Sequence, residues 1–144
     1  MPARQPRSHN HHTQAMPVPI LKQGAILIAT VQAALTDSDT ERLRYDLMER
    51  VSRFRAQGII VDVTAIDVMD SFAARSLRTI AHMTRLRGAA TVIVGLQPEV
   101  AFAMVQLGLA FDDMNTALDL EEGLALLNRQ LGLGKSTIGR DGGG

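Results

Sequence analysis

Ser71 is the residue with the clearest chemical potential, because it stands where an apolar run passes into a helical pattern, in the stretch IIVDVTAIDVMDSFAARSL. A serine hydroxyl at a strand-to-helix junction can act as a nucleophile when a histidine base and an acid activate it. The residues Met69 to Ala73 lack the glycines of the G-x-S-x-G elbow. His82, the one histidine beyond residue 16, lies about 16 Å away if both residues belong to one helix. Because that distance exceeds hydrogen-bond reach, the sequence gives no support for an acyl-transfer enzyme.

Three aspartates in the same stretch, Asp62, Asp67 and Asp70, could supply oxygen ligands to Mg²⁺ or Ca²⁺. Asp62 falls inside the predicted strand, and the set lacks the alternating oxygen ligands of a calcium-binding loop. Asp67 is better explained as a turn residue, and Asp70 as a residue that shapes the loop or caps the next helix. We therefore expect structural roles here and no metal or other cofactor.

The segment Gly132 to Thr137, GLGKST, resembles the end of a phosphate-binding Walker A loop. The motif G-x-x-x-x-G-K-[ST] requires a glycine at position 129, where this chain has Arg129. The segment also follows a helical pattern rather than a strand, and no helix follows it. The residues therefore indicate a tail rather than a nucleotide site.

Two interpretations of Ser71 remain. An Asp or Ser before a helix is commonly an N-cap, whose side chain accepts a hydrogen bond from a free backbone amide. Alternatively, Ser71 accepts a phosphoryl group, because a phosphate at a helix N-terminus meets unsatisfied N–H groups and the positive end of the macrodipole. Phosphorylation would add about −1.5 to −2 charge beside Asp70 and expel a partner packed over that spot while the fold survives. The residues alone leave both interpretations open.

The composition narrows the class of protein. The hydrophobic fraction of 46% can build an aliphatic core, whereas 3% aromatic residues and no Trp leave little surface for stacking bases or sugars. A formal net charge of zero argues against general nucleic-acid binding. Cysteine is absent, which excludes disulfides and thiolate chemistry. No apolar run approaches the roughly 20 residues needed to cross a bilayer, and no secretory signal is visible, so a cytoplasmic protein without membrane association is expected.

Alternating apolar and helical patterns predict the elements that position Ser71. Strands are predicted at residues 18–23, 25–32, 59–63, 90–95 and, more weakly, 114–118. Helices are predicted at residues 38–57, 72–87, 98–107 and 120–131. An S-x-x-E capping box at Ser38 and Glu41 marks the first helix start, and Gly58 marks its end. Asp119 and Glu122 form a second capping box.

The order β-β-α-β-α-β-α-β-α predicts right-handed βαβ crossovers and a single α/β domain. The sheet would be mixed but mostly parallel, with about five strands, about four helices and an antiparallel first strand at its edge. Residues 1–16 lack any apolar period and are expected to form a disordered arm. Residues 17–131 form the predicted domain, and residues 132–144 a flexible Gly-rich tail.

The combination of strand, Asp70-Ser71-Phe72-Ala73 loop and helix resembles the STAS domain of anti-sigma-factor antagonists. The resemblance extends from about Pro17 to Leu131 and includes PVPILKQGAILIATVQ and VGLQPEVAFAMVQLGLAFDDMNTALDLEEGLALL. Sporulation-type antagonists typically have Ser-Gly at the phosphoserine, where this chain has Phe72 after Ser71. That departure favours the branch of single-domain stressosome components of the RsbS type.

The resemblance implies a non-catalytic regulator in which Ser71 is phosphorylated by an RsbT-like switch serine kinase. The unmodified protein would hold that kinase together with RsbR-like co-antagonists in a homo-oligomer or a large hetero-oligomeric scaffold, and phosphorylation would release the kinase. Two alternatives within the family remain open. The protein could bind an anti-sigma kinase directly, or it could serve as an accessory module of a transport complex.

Residues around the switch are candidates for partner binding, namely Asp67, Asp70, Phe72, Arg75 and Arg78. Arg85 and Arg87 extend the arginine-rich outer face of the same predicted helix. A positive surface beside the switch could contact an acidic partner or speed its association. The alternative is that this face is only solvated.

Overall fold

Four parallel strands and one antiparallel edge strand form the central sheet of the computed structural model, which describes residues 18–108 and 115–132. The strands are β1 Ile20–Gln23, β2 Ile26–Thr30, β3 Gly58–Asp62, β4 Ala90–Val94 and β5 Asn115–Ala117. Their order in the sheet is β1-β2-β3-β4-β5, and only β1 runs antiparallel to its neighbour. The prediction of a mostly parallel sheet with an antiparallel edge is confirmed.

Four helices connect and follow these strands: α1 Asp37–Phe54, α2 Ser71–Leu86, α3 Pro98–Gln106 and α4 Leu120–Leu131. The element order and the single α/β domain agree with the prediction. Three predicted features lie outside the described residues: the arm at residues 1–16, the tail beyond Gly132 and position 114 of the last strand. Among the helices of residues 18–108 and 115–132, none is long and apolar enough to cross a membrane.

Side chains alternate between the two faces of the sheet, and each face packs against different helices. Ile59, Val61 and Ile93 face one side, where they pack with the apolar stripes of α1 and α2. Ile60, together with Val92 and Val94, faces the other side, which α4 covers through Leu127. This three-layer arrangement holds the carboxyl ends of β2, β3 and β4 at one edge, where the loops leading to the helices meet.

The first helix begins and ends at different residues from those predicted. Thr36 is its N-cap: the Thr36 hydroxyl accepts from the Asp39 amide at 3.1 Å, and the Asp39 carboxylate accepts from the Thr36 amide at 3.0 Å. The predicted box at Ser38 and Glu41 is therefore wrong, because both residues already lie inside the helix. At the other end, Arg55 adopts the left-handed conformation with φ 53° and closes the helix.

Gly58 has a packing role instead of the predicted capping role. It is the first residue of β3, and a Cβ atom at this position would lie 3.0 Å from Leu127 Cδ1. Glycine therefore lets α4 approach the sheet closely. The second predicted box forms only in part: the Asp119 carboxylate accepts from the Glu122 amide at 2.9 Å, but the Glu122 carboxylate accepts from Leu118 rather than from the cap residue.

Candidate functional site

Ser71 is the first residue of α2 and lies half-buried at the carboxyl edge of the sheet. Asp70 precedes it as the N-cap, with extended backbone angles of φ −81° and ψ 172°. The Asp70 carboxylate accepts from the Ala73 amide at 2.8 Å, and the Asp70 carbonyl accepts from the Ala74 amide at 3.1 Å. The capping role predicted for Asp70 is confirmed, and the cap therefore does not require the Ser71 hydroxyl.

Replacing Asp70 with alanine is expected to lower the free energy of unfolding by about 0.5–2 kcal/mol, because the Ala73 amide loses its acceptor. Asp70→Asn should retain most of that stability, since an amide oxygen can also accept from the amide at N3. Urea unfolding followed by circular dichroism measures both differences. Asp67→Ala is the matched control, because it removes an exposed carboxylate from the same loop; an equal loss in Asp67→Ala and Asp70→Ala would contradict the capping role.

The loop between β3 and α2, which leads to Ser71, is anchored to the sheet at Thr64. The Asp62 carboxylate accepts from the Thr64 amide at 3.0 Å and from the Thr64 hydroxyl at 2.6 Å. From the neighbouring loop, Gln97 Nε2 donates to the Thr64 carbonyl at 3.0 Å. Asp62 is the last residue of β3, so its carboxylate fixes the start of the loop against the sheet.

Gly95 makes the close approach to this loop possible. It has φ 78°, and a Cβ atom built on it would lie 1.9 Å from Thr64 Oγ1 and 2.9 Å from Thr64 Cα. Only glycine fits at this position, because it adopts a positive φ without strain and has no side chain to overlap with Thr64. The loop therefore leaves the sheet from a fixed point, and its far end is held by Met69, which packs against the clusters on both sides of α2.

An apolar groove lies beside Asp70, the residue before Ser71, between the loop that follows β2 and the loop that follows β3. Its volume is about 100 Å³, and it is lined by Val31, Ala34, Leu35, Val63, Ile66, Val68, Met69, Asp70 and Ala73. Asp70 is the one charged residue among these, and Val68 is 71% exposed. This groove was not predicted from the sequence, because its lining comes from two loops that are distant along the chain.

The predicted partner-binding residues lie at different distances from Ser71. Phe72 is 37% exposed and lines a second, polar groove between α1 and α2, together with Thr40, Glu41, Arg44, Ser76 and Thr79. Asp67 and Arg75 are exposed, and Arg78 is half-buried further along α2. Asp67, Phe72 and Arg75 lie within four residues of Ser71 along the chain, whereas Arg78 lies about two turns further along α2. The role of these residues in binding a partner stays a prediction.

Arg85 and Arg87 do not lie beside Ser71, so this part of the expected arginine face is wrong. Arg87 follows the last turn of α2, about 24 Å from Ser71 along the helix axis at roughly 1.5 Å per residue. It donates to the Ser52 hydroxyl near the end of α1. Residues on the same face of α2 can lie far apart, because the helix rises along its axis by roughly 1.5 Å per residue.

Two of the three aspartates near Ser71 accept hydrogen bonds from the chain: Asp62 accepts from Thr64, and Asp70 accepts from Ala73. The third, Asp67, is exposed. In the part of the chain that the structure describes, no group of three or more His, Asp and Glu side chains could hold a metal ion. The arrangement offers a hydroxyl at a helix N-terminus, beside an apolar groove.

Comparisons with known proteins give the same fold and a specific group of relatives. The family model "STAS domain" matches residues 18–123. The chain is 30% identical over 98 residues to the RsbT co-antagonist protein RsbRA of Bacillus subtilis, and 31% identical over 90 residues to RsbRD of the same organism. The matches to RsbRA and RsbRD cover 66% and 60% of this chain. They cover only 36% of RsbRA and 32% of RsbRD, so this chain spans about a third of each relative.

Solved structures extend the similarity. A serine-to-glutamate variant of RsbS from Moorella thermoacetica matches with a TM-score of 0.72 and 28% identity, over 82% of this chain and all of that chain. A chain from the molecular architecture of the stressosome matches with a TM-score of 0.67 and 27% identity, over 78% of this chain and 98% of that one. The anti-sigma-factor antagonist SpoIIAA, at 14% identity, shares the fold. The chain therefore belongs to the STAS domain family, and it is similar to RsbS and to the RsbT co-antagonists.

Proposed function

We propose that this protein is a non-catalytic partner-switching regulator whose state is set by phosphorylation of Ser71. In the unmodified state it holds a serine kinase of the RsbT type, and phosphorylation releases that kinase. The observation that carries the proposal is the position of Ser71 at the first turn of α2, with the capping role taken by Asp70 and an apolar groove alongside. Any ATP chemistry belongs to the kinase.

The fold tolerates a phosphate at this position. The first amides of a helix lack intrahelical acceptors, and the macrodipole places positive potential at the same end. Asp70 caps only the Ala73 amide with its side chain, and Ser71 is half-buried rather than enclosed by the core. A phosphate on Ser71 can therefore point to solvent while α2 keeps its packing through Ala74 and Leu77.

A bound partner would not tolerate the same phosphate. The groove includes Asp70 and Ala73, which flank Ser71 and its neighbour Phe72, so an apolar side chain inserted there would approach the modified residue. Closing that interface would remove water from a dianion that stands beside the carboxylate of Asp70. Desolvation and like-charge repulsion both oppose the bound state, and together they release the partner.

The further partners are RsbR-like co-antagonists in an oligomeric cytoplasmic scaffold. Support comes from the names of the relatives, which are RsbT co-antagonists, and from the similarity to a chain of the stressosome. This chain covers about a third of each RsbR relative, so the similarity concerns the shared domain. Because this protein and the RsbR-like co-antagonists share the domain, their copies can present similar surfaces to one another and to the same kinase.

Incubation with the cognate kinase and ATP is expected to add one phosphoryl group, and tandem mass spectrometry should locate it on Ser71. Ser76 is the matched internal control, because it lies on the same helix and is also half-buried. Modification of Ser76, or none at all, would contradict the proposal. A protein that retains the kinase in pull-downs after complete phosphorylation would also contradict it.

A further inference from the structure

The described chain begins beside the apolar groove. Because β1 runs antiparallel to β2, the start of β1 lies at the carboxyl edge of the sheet, next to the end of β2. The Thr30 amide donates to the Pro19 carbonyl at 3.1 Å, so the pairing continues beyond the first residue of β1. The next pair in this register is Val18 with Val31, and Val31 lines the groove. The chain that precedes Val18 therefore joins the domain at the groove.

The side chains at the start of β1 alternate between the two faces of the sheet. Val18 and Ile20 both pack against the core cluster that contains Val31, so every second residue here faces the side on which the groove opens. Met16 is the next residue in this alternation. A proline follows both Met16 and Val18, and a residue before proline favours the extended conformation that preserves the alternation.

The groove is suited to a single apolar side chain. Its volume is about 100 Å³, and Asp70 is the one charged residue in its lining. Methionine fills irregular apolar gaps well, because its unbranched side chain is flexible and polarizable. Two residues of extended chain span only about 7 Å, so Met16 is within reach of the groove from Val18. The sequence before Val18 contains two arginines and no Asp or Glu, so no like charge opposes its approach to Asp70.

We propose that the segment Ala15-Met16-Pro17 folds onto the groove of its own chain and places the Met16 side chain inside it. The segment then competes with any partner that inserts an apolar side chain into the same groove. Only molecules with an open groove bind such a partner, so the apparent Kd rises as the open fraction falls. The docking does not depend on Ser71 being a switch, whereas the competition with the kinase rests on the proposed function.

Methyl NMR of the full chain tests the docking. Nuclear Overhauser contacts are expected between the Met16 methyl and the methyls of Ile66 and Val68, and the Met16 signal is identified by its loss in Met16→Ala. Val68→Asp should abolish these contacts, because it puts a carboxylate into the apolar groove. Val105→Asp is the matched control: Val105 is 69% exposed, much like Val68 at 71%, but it lies outside the groove, so the contacts should persist.

Three results would overturn the docking. The first is a Met16 methyl without contacts to Ile66 and Val68 in the unmodified chain, and the second is an equal loss of contacts in Val68→Asp and Val105→Asp. The third concerns a mixture of protein labelled only at methionine with protein labelled only at isoleucine and valine. Contacts in that mixture would show that a second copy fills the groove.

Met16→Ser is expected to tighten binding of the cognate kinase by about three- to tenfold, because it leaves the groove open. Gln14→Ser, outside the docked segment, should bind like the unmodified chain, and isothermal titration measures both. Unchanged affinity in Met16→Ser would overturn the competition. Failure of every variant to bind the kinase would instead contradict the proposed function, and the NMR contacts would still decide the docking.

Discussion

Ser71→Asp is expected to weaken binding of the cognate kinase by about a hundredfold or more, whereas Ser71→Ala should bind like the unmodified protein. An aspartate places a carboxylate one residue from Asp70, at the rim of the apolar groove. Closing an interface over two adjacent like charges costs several kcal/mol, and about 2.7 kcal/mol already corresponds to a hundredfold change in Kd. The free energy of unfolding should change little, because acidic residues at a helix N-terminus interact favourably with its dipole.

Isothermal titration of each variant with the kinase measures the effect, and Ser71→Asn separates charge from shape. Asparagine has nearly the size of aspartate without its charge, so it should bind much more tightly than the aspartate variant. Equal weakening by both substitutions would show that shape rather than charge controls the interface. Unchanged binding by Ser71→Asp would refute the proposed switch, and its separate unfolding curve would reveal any failure to fold.

Gly95→Ala is expected to lower the free energy of unfolding by about 3–5 kcal/mol, the range seen for severe overpacking and backbone strain combined. The added methyl would overlap Thr64 Oγ1 at 1.9 Å and approach Thr64 Cα at 2.9 Å. A side chain can rotate away, but overlap with a backbone atom forces the chain itself to move. The positive φ of 78° adds roughly 1 kcal/mol.

Gly88→Ala is the matched control, because Gly88 also has a positive φ, 90°, but nothing lies within 4 Å of its would-be Cβ. The free energy of unfolding of Gly88→Ala should fall by only roughly 1 kcal/mol, which is the cost of a left-handed backbone for a residue with a side chain. The double variant Gly95→Ala/Thr64→Ala should regain part of the loss, since it removes Oγ1 but keeps the backbone of residue 64. Urea unfolding provides all three values, and equal losses at Gly95 and Gly88 would contradict the packing argument.

Much of the fold could be predicted from local patterns. The apolar runs around Ile28, Ile60 and Val92 are nearly continuous because both faces of these strands are buried. The helices show the periodic apolar stripe of elements that cover a sheet on one side. The helices predicted at residues 98–107 and 120–131 begin at Pro98 and Leu120, as expected.

The errors arise where tertiary packing decides between equivalent local signals. Thr36 with Asp39 and Ser38 with Glu41 are both plausible capping pairs, and local sequence does not rank them. Gly58 looks like a helix terminator, but its role depends on Leu127, far along the chain. At the site, Asp70 and Ser71 were identified from the helix start, whereas the apolar groove joins two loops that are distant in sequence and could not be seen locally.

The strictly sequential strand order has a consequence for how the chain folds during synthesis. Each new strand adds beside the one made just before it, so β1 to β4 can pair in order during synthesis. The parallel pairings still join residues that are distant in sequence, such as Ile26 with Gly58 and Gly58 with Ala90, and pairings of this kind form slowly. One face of the growing sheet stays uncovered until α4 is made, because Leu127 of α4 packs over Ile60 on that face. Gly123 leaves the space into which Val94 fits, since a Cβ there would lie 2.6 Å from Val94 Cγ1. Until the last helix is made, the nascent sheet exposes the apolar surface that α4 covers in the folded domain.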